Sequence, residues 1–183
     1  MGTLGDKRLV LVDEMGTHAS LAPLYGYSSR GKRAFFKVPR NRCKNTTLLA
    51  SIGCEGTGPS MVVESSTSGE VFEAYVEHFP APTLRAGQVV VMDNVSAHKG
   101  SRVRERIEER GCTLIYLPPS EAPPDLNPIE EAFSKIKRFL REPRARVRGA
   151  LGEAIGRALE AVSARGAESF LMHCGYRTLT QRL

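Results

Sequence analysis

Asp13 and Asp93 occupy similar places in the sequence, each directly after a short apolar run. Asp13 follows residues 8–12 (RLVLV), and Asp93 follows residues 89–92 (VVVM). Runs of this kind predict buried strands, and sites in open parallel sheets collect at the carboxyl ends of the strands. If the two strands are neighbours, the two carboxylates converge and can hold a charged group. Taken singly, each aspartate is more typical of a turn residue at a strand end.

A third carboxylate, Glu130, lies in the segment DLNPIEEAFSKIKRFLR. Asn127 suits a helix N-cap, Pro128 suits the first helical position, and Glu130 falls at the third. The helix that follows carries a buried stripe and a separate polar face, and that face contains Glu130, Ser134, Lys137 and Arg141. Glu130 is therefore either available to a site or the acid that completes a capping arrangement.

The elements that must position these acids follow an α/β order. Strands are predicted at 8–12, 34–38, 46–52, 89–92 and 113–117, and helices at 70–79, 101–110, 128–141 and 150–164. Gly111 closes the second helix, and a Pro-rich connection, PPSEAPPD, precedes the third. This order predicts a three-strand meander followed by strand–helix–strand–helix units.

Composition and charge indicate a globular protein with a polyanionic partner. The chain has 183 residues, 41% of them hydrophobic, which suffices for one ordinary domain with a core. Its net charge is +6, and basic residues are dense in 30–44 and 135–148. Two such runs beside acidic motifs favour a nucleic-acid backbone over solvated surface. Lys135, Lys137 and Arg138 are predicted to face DNA phosphates, with a solvated helix face as the alternative.

Cysteine usage and hydropathy predict a cytoplasmic protein, and the expected nucleic-acid partner predicts association with the nucleoid. The four cysteines are scattered without a C-x-x-C pair, which disfavours a zinc site and a disulfide framework. No apolar run approaches the roughly 20 residues that a membrane span needs, and the first residues carry charges that a signal peptide would lack.

Several stretches together resemble the DDE transposases of the mariner superfamily, in the branch found in bacterial insertion sequences. The matching stretches are LVDEMGTH, GKRAFFKVPRNRCKNTTLLASIG, VVVMDNVSAHK, IYLPP, PDLNPIEEAFSKIK and HCGYR. They span nearly the whole chain, and the DLNPIE block is the most specific. The resemblance implies a ribonuclease H-like fold, a mixed five-stranded sheet flanked by helices, with residues 1–145 as the catalytic domain. Residues 146–183 are then a C-terminal helical segment packed on the same domain.

The same resemblance implies that Asp13, Asp93 and Glu130 are the catalytic acids. Phosphodiester cleavage must activate a water or a 3′-hydroxyl and stabilise the leaving oxygen, and two divalent ions can do both. Carboxylates, waters and phosphate oxygens are the ligands that Mg²⁺ prefers. The expected cofactor is therefore two ions of Mg²⁺ or Mn²⁺, with Asp13 bridging them.

Neighbouring residues and partners are also implied. Asn94, His98 and Asn127 are expected to orient substrate or water behind the ligands, although for Asn94 and His98 a structural role is an equal alternative. Glu14 and His18 lie beside Asp13 and could contribute. The partners expected are the element's DNA ends and target DNA, a second copy of the chain, and no membrane.

Two features depart from the family pattern. The connection before the third acid is two residues longer than usual, so that 36 residues separate Asp93 from Glu130. Family members carry an N-terminal helix-turn-helix region, whereas only 12 residues precede Asp13. That region is expected from another reading frame or chain, or else the chain is a fragment. A nuclease or resolvase of the same fold and a non-catalytic DNA-binding remnant stay open as alternatives.

Overall fold

The computed structural model describes residues 8–18, 21, 25–35, 45–118, 127–141 and 148–176. Across these ranges the chain alternates strands with helices. The order is β1 (Leu9–Thr17), β2 (Thr46–Gly53), β3 (Gly56–Val63), α1 (Gly69–His78), α2 (Pro80–Thr83), β4 (Val89–Met92), a 3₁₀ turn (Ser96–His98), α3 (Ser101–Glu108), β5 (Thr113–Tyr116), α4 (Pro128–Leu140), α5 (Arg148–Glu160) and α6 (Ala164–His173). In this part of the chain, no helix is both long and apolar enough to cross a membrane.

The strands form one mixed sheet in the order β3-β2-β1-β4-β5. The first three strands pair antiparallel as a meander, whereas β4 and β5 run parallel to β1. The mixed five-stranded sheet predicted from the sequence is therefore confirmed. Its parallel half places the carboxyl ends of β1, β4 and β5 along the same edge.

Helices cover both faces of the sheet, and the period-2 alternation of strand side chains decides which face each residue meets. Leu11 and Met15 belong to the core that α4, α5 and α6 complete. Val12 belongs to the second core, which α1 and α3 complete. Consecutive residues of β1 thus reach opposite helical layers.

The predicted strands differ from the observed ones in two places. The strand predicted at 34–38 is wrong at residues 34 and 35, which have no regular structure, and its remainder lies outside the described residues. The third strand of the meander is instead Gly56–Val63. Its glycines and Pro59 indicate a loop by composition, but β3 is an edge strand, where proline is tolerated.

The last helix predicted from the sequence is α5, and the sequence does not predict the helix that follows it, α6. The helix predicted at 150–164 ends at Glu160, and α6 follows after a short link. Ser163 caps α6, since its hydroxyl accepts a hydrogen bond from the backbone N–H of Gly166 at 3.3 Å. Both helices contribute to the core beneath α4. The domain division at residue 145 lies outside the described residues and stays a prediction.

Candidate active site

Asp13 lies inside β1 and does not end it as predicted. The parallel pairing of β1 with β4 stops at the pair Val12 and Met92, whereas β1 continues beside β2 as far as Thr17. Asp13 and Asp93 are thus the first residues beyond the last pair of two neighbouring strands, which lie about 4.8 Å apart in any sheet. The predicted convergence of these two aspartates follows from this register.

The Asp13 carboxylate is buried, with 6% of the residue exposed, and it is held at both oxygens. Oδ1 accepts a hydrogen bond from the Glu14 backbone N–H at 2.8 Å. Oδ2 accepts one from the Asn127 amide at 3.1 Å. Because Asn127 immediately precedes α4, the second bond ties the start of α4 to the middle of β1.

Asn127 occupies the N-cap position of α4, but its side chain makes no cap hydrogen bond. The amide is turned towards Asp13 instead. The capping arrangement considered for Glu130 therefore lacks one of its two hydrogen bonds, the one in which the Asn127 side chain would accept from the Glu130 backbone N–H. Glu130 itself is exposed, one turn into the helix that Asn127 anchors.

The electrostatics of Asp13 place all three acids in one neighbourhood. Burial is the largest cause that raises the pKa of Asp13, and the Glu14 N–H opposes it. The negative charges of Asp93, Glu130 and Glu14 raise it further, and the result is a pKa of about 7. Glu130 thus acts on Asp13 despite the longer connection that precedes it.

His98 is fully buried between two acids. Its Nε2 pairs with Oε2 of Glu14 and its Nδ1 pairs with Oδ1 of Asp93. The ring stacks on Phe72 with 3.8 Å between centroids. The Tyr116 hydroxyl donates a hydrogen bond to the His98 carbonyl oxygen at 2.9 Å. The ring is therefore fixed in position, with Glu14 at one nitrogen and Asp93 at the other.

Burial lowers the pKa of His98, but the contacts with Asp93 and Glu14 outweigh it and raise the pKa to about 9. His98 is then protonated at neutral pH, and its positive charge offsets part of the negative charge of the site. From the sequence, Glu14 is expected to contribute only as a neighbour of Asp13, and its pairing with His98 is missed. The signal was the alternation along β1, which turns Glu14 towards the α1 layer when Asp13 faces α4.

The remaining predicted residues are placed as follows. Asn94 is half-buried directly after Asp93. Lys137 and Arg138 lie on α4, half-buried and exposed respectively. The Lys135 ammonium donates to the carbonyl oxygen of Ala161 at 2.7 Å, just beyond the end of α5. Lys135 therefore has a structural contact that its sequence pattern did not indicate.

The donor groups fit a hard divalent cation. Asp13, Asp93 and Glu130 supply carboxylate oxygens, the ligands that Mg²⁺ and Mn²⁺ prefer. The pKa of Asp13 is raised first by burial and further by the charges of Asp93, Glu130 and Glu14, so an ionised Asp13 is unfavourable without a counter-ion. Donor atoms of Asp13, Glu14 and His98 also lie within 4.8 Å of one another. Both ring nitrogens of His98 already contact carboxylates, Nε2 that of Glu14 and Nδ1 that of Asp93.

Solved structures of the Mos1 mariner transposase have similar folds. Its strand transfer complex matches with a TM-score of 0.69 at 18% identity, over 92% of this chain and 53% of that chain. Its paired-end complex with Mn matches with a TM-score of 0.65 at 19% identity, over 91% and 53%. The structure of its catalytic domain matches with a TM-score of 0.59 at 17% identity, over 92% and 79%.

This chain therefore spans about half the length of the Mos1 chains in the two complexes. The likeness confirms the ribonuclease H-like fold. No curated protein sequence matches the chain. The family model of the DDE superfamily endonuclease matches residues 8–151, well over half of the 183 residues, and the chain therefore belongs to that family.

Proposed function

We propose that this chain is the catalytic domain of an insertion-sequence transposase, which cleaves DNA strands and joins the freed ends to target DNA. The observation that carries the proposal is the convergence on Asp13. Three carboxylates from β1, the end of β4 and the first turn of α4 share one neighbourhood at the carboxyl edge of the sheet. Membership of the DDE endonuclease family supports the same chemistry.

Asp13, Asp93 and Glu130 are proposed to hold two ions of Mg²⁺ or Mn²⁺. When bound, such ions supply an activated water or 3′-hydroxyl and stabilise the leaving oxygen. Asp13 is the most buried of the three acids, and the charges of both Asp93 and Glu130 act on it, so it is proposed as the shared ligand. A Mos1 complex was solved with Mn, which is consistent with this assignment.

Two side chains are proposed to hold the acids in place. The Asn127 amide fixes one oxygen of Asp13, and the buried His98 ring fixes Asp93. Each restricts a carboxylate to one orientation, which is what partners behind a ligand generally do. Neither residue needs to give or take a proton during the reaction.

DNA is the proposed substrate, and a second copy of the chain is a proposed partner on it. The Mos1 matches include a strand transfer complex and a paired-end complex. The described basic side chains carry no sequence information by themselves, so a helix-turn-helix region is proposed to recognise the element's ends.

The polar face of α4 is the proposed contact with the DNA backbone. A helix turns about 100° per residue, so Lys137 lies within about 20° of Glu130 around the axis and Arg138 within about 80°. Lys135 is about 140° away, and its ammonium is held at Ala161. Lys137 and Arg138 are thus better placed than Lys135 to meet a phosphate beside Glu130.

Replacing Lys137 and Arg138 together by Ala should weaken DNA binding equally for all sequences. Non-specific dissociation constants are on the order of 10⁻⁴ to 10⁻⁶ M, and the slope of log K against log salt should flatten by about 2 because two phosphate contacts are lost. Salt titrations of fluorescent duplexes measure this slope. The matched control is the Arg157→Ala, Arg165→Ala pair, which removes the same charge from exposed positions of α5 and α6. An equal flattening in the control would mean that net charge, and not this face, governs binding.

Joining of a pre-cleaved end tests the proposed function. A duplex carrying the element's terminal repeat with a free 3′-hydroxyl is incubated with target plasmid and the chain. We expect joined product with Mg²⁺ or Mn²⁺ and none with EDTA. Cleavage without joining would favour the nuclease alternative. If the folded chain neither cleaves nor joins DNA when metal is present, the proposal is contradicted.

A further inference from the structure

A second cluster of metal-binding side chains lies outside the proposed catalytic site. It consists of Glu131 on α4 together with His173 and Cys174 at the end of α6. One donor atom from each residue lies within 4.8 Å of the others. His173 Nδ1 is 2.5 Å from Glu131 Oε1, and Cys174 Sγ is 3.8 Å from the same oxygen. His173 and Cys174 belong to the HCGY segment, to which the proposed function gives no role.

The end of α6 holds these two residues in a defined geometry. Gly175 has a φ of 84°, the left-handed conformation that commonly ends helices. The Tyr176 N–H donates to the Leu171 carbonyl at 2.9 Å and the Gly175 N–H to the Met172 carbonyl at 3.0 Å. This pair of bonds is the Schellman arrangement. The backbone that carries His173 and Cys174 is therefore fixed before any ligand arrives.

We propose that Glu131, His173 and Cys174 form a structural site for Zn²⁺. Thiolate, imidazole and carboxylate are the ligands that Zn²⁺ takes, and three protein ligands with one water complete a tetrahedron. The mixed donor set differs from the all-oxygen set of the catalytic acids, since a thiolate selects softer metals. Binding deprotonates the Cys174 thiol, whose proton passes to solvent.

The distances suit this ion after a small adjustment. Zinc bonds of about 2.1 to 2.3 Å place tetrahedral ligand atoms about 3.4 to 3.6 Å apart. The sulfur-to-oxygen distance of 3.8 Å is already close to that value. The His173–Glu131 distance of 2.5 Å must lengthen by roughly 1 Å to match it. The His173 side chain is 72% exposed, which leaves it room to rotate.

An ion in this site would join α6 to the first turn of α4. Glu131 directly follows Glu130, and the partner ligands come from a segment more than 40 residues away, since 42 positions separate Glu131 from His173. The site would therefore fasten the C-terminal helices to the element that carries a catalytic acid. Spacing along the sequence could not indicate it, because the ligands meet only through the packing of α6 on α4.

Titration of the reduced chain with Co²⁺ tests the site directly. Cobalt takes the same ligands as zinc, and a bound thiolate gives a charge-transfer band in the near ultraviolet. We expect one equivalent of Co²⁺ to produce the band and Zn²⁺ to abolish it by displacement. Absence of the band in folded chain would overturn the proposal, and it would leave a hydrogen-bonded Glu131–His173 pair as the role of these residues.

Variants assign the band to these ligands. Cys174→Ser should remove it, and the exposed His173→Ala should weaken Co²⁺ binding by at least about tenfold without disturbing the core. The Cys54→Ser control should retain the band. Glu130→Gln should retain it as well, because the catalytic acids are not its ligands. A band that survives Cys174→Ser, or that disappears in Glu130→Gln, would overturn the proposal and leave the proposed function untouched.

Discussion

Replacing Asp13 by Asn should abolish strand cleavage and at the same time stabilise the metal-free protein. Cleavage is lost because the proposed shared ligand disappears. A metal ion contributes several kcal/mol of transition-state stabilisation, and about 4 kcal/mol corresponds to a loss of about 10³-fold in rate. Asn127 keeps an oxygen to bond in the variant, so the local fold should survive.

The gain in stability follows from the raised pKa of Asp13. Burial and neighbouring negative charges raise the pKa of Asp13 to about 7 in the folded chain, from an ordinary value of 3.8, so the folded state binds this proton more tightly than the unfolded state. This contribution to stability is complete below about pH 4 and is lost as the pH rises to 7. Asn cannot ionise, so at pH 8 the variant should be more stable than wild type by about 2 kcal/mol, after allowance for the hydrogen bond to Glu14.

Urea denaturation in EDTA at pH 5 and pH 8 measures both parts of this expectation. The difference between variant and wild type should grow with pH. A variant that is less stable than wild type at pH 8, or a difference independent of pH, would show that the Asp13 charge is not unfavourable in the metal-free protein. Retained cleavage would exclude Asp13 as a ligand.

Glu130→Gln should also reduce cleavage by about 10³-fold, while the fold stays intact. Glutamine keeps the size and much of the hydrogen bonding of glutamate but lacks the charge that a divalent ion needs. If Glu130 were only a helix cap, the change would cost about 1 kcal/mol of stability or less and leave cleavage unaltered. The two roles are thus separated by measuring cleavage and thermal unfolding on the same variant.

Glu55→Gln is the matched control, because it makes the same charge change at an exposed position in the β2–β3 turn. That turn adjoins the beginning of β1, since Gly53 pairs with Val10, and it lies away from the carboxyl edge of the parallel strands. We expect the control to cleave at the wild-type rate. If Glu130→Gln cleaved at that rate too, the third ligand would have to lie elsewhere.

Much of the fold could be predicted from local patterns because its buried strands and amphipathic helices have distinct periods. The apolar stripe of α4, with Ile129, Phe133 and Ile136, is buried as expected. Gly111, predicted to close the second helix, has a positive φ of 69°. The length of β1 could not be predicted, because its second half is held by pairing with β2 and contains polar residues. β3 was missed for a related reason, since sheet pairing overrides the low strand propensity of its glycines and Pro59.

The acids of the candidate site could be predicted from the sequence, whereas the side-chain contacts of those acids were harder to predict. Asp13 and Asp93 follow apolar runs, a signal visible in the sequence. The bond from Asn127 to Asp13 and the position of His98 between Glu14 and Asp93 depend on tertiary packing. A side chain that suits an N-cap can serve a distant carboxylate instead, and only the fold decides between the two. The metal-binding roles of the three acids stay a prediction.

Anomalous scattering from crystals of the chain grown with Mn²⁺ tests the central claim most directly. The account predicts Mn²⁺ at ligand distance from the Asp13 carboxylate, with Asp93 and Glu130 as the other protein ligands. Manganese bound elsewhere, or bound to Asp13 with Glu14 in place of Asp93 and Glu130, would contradict it.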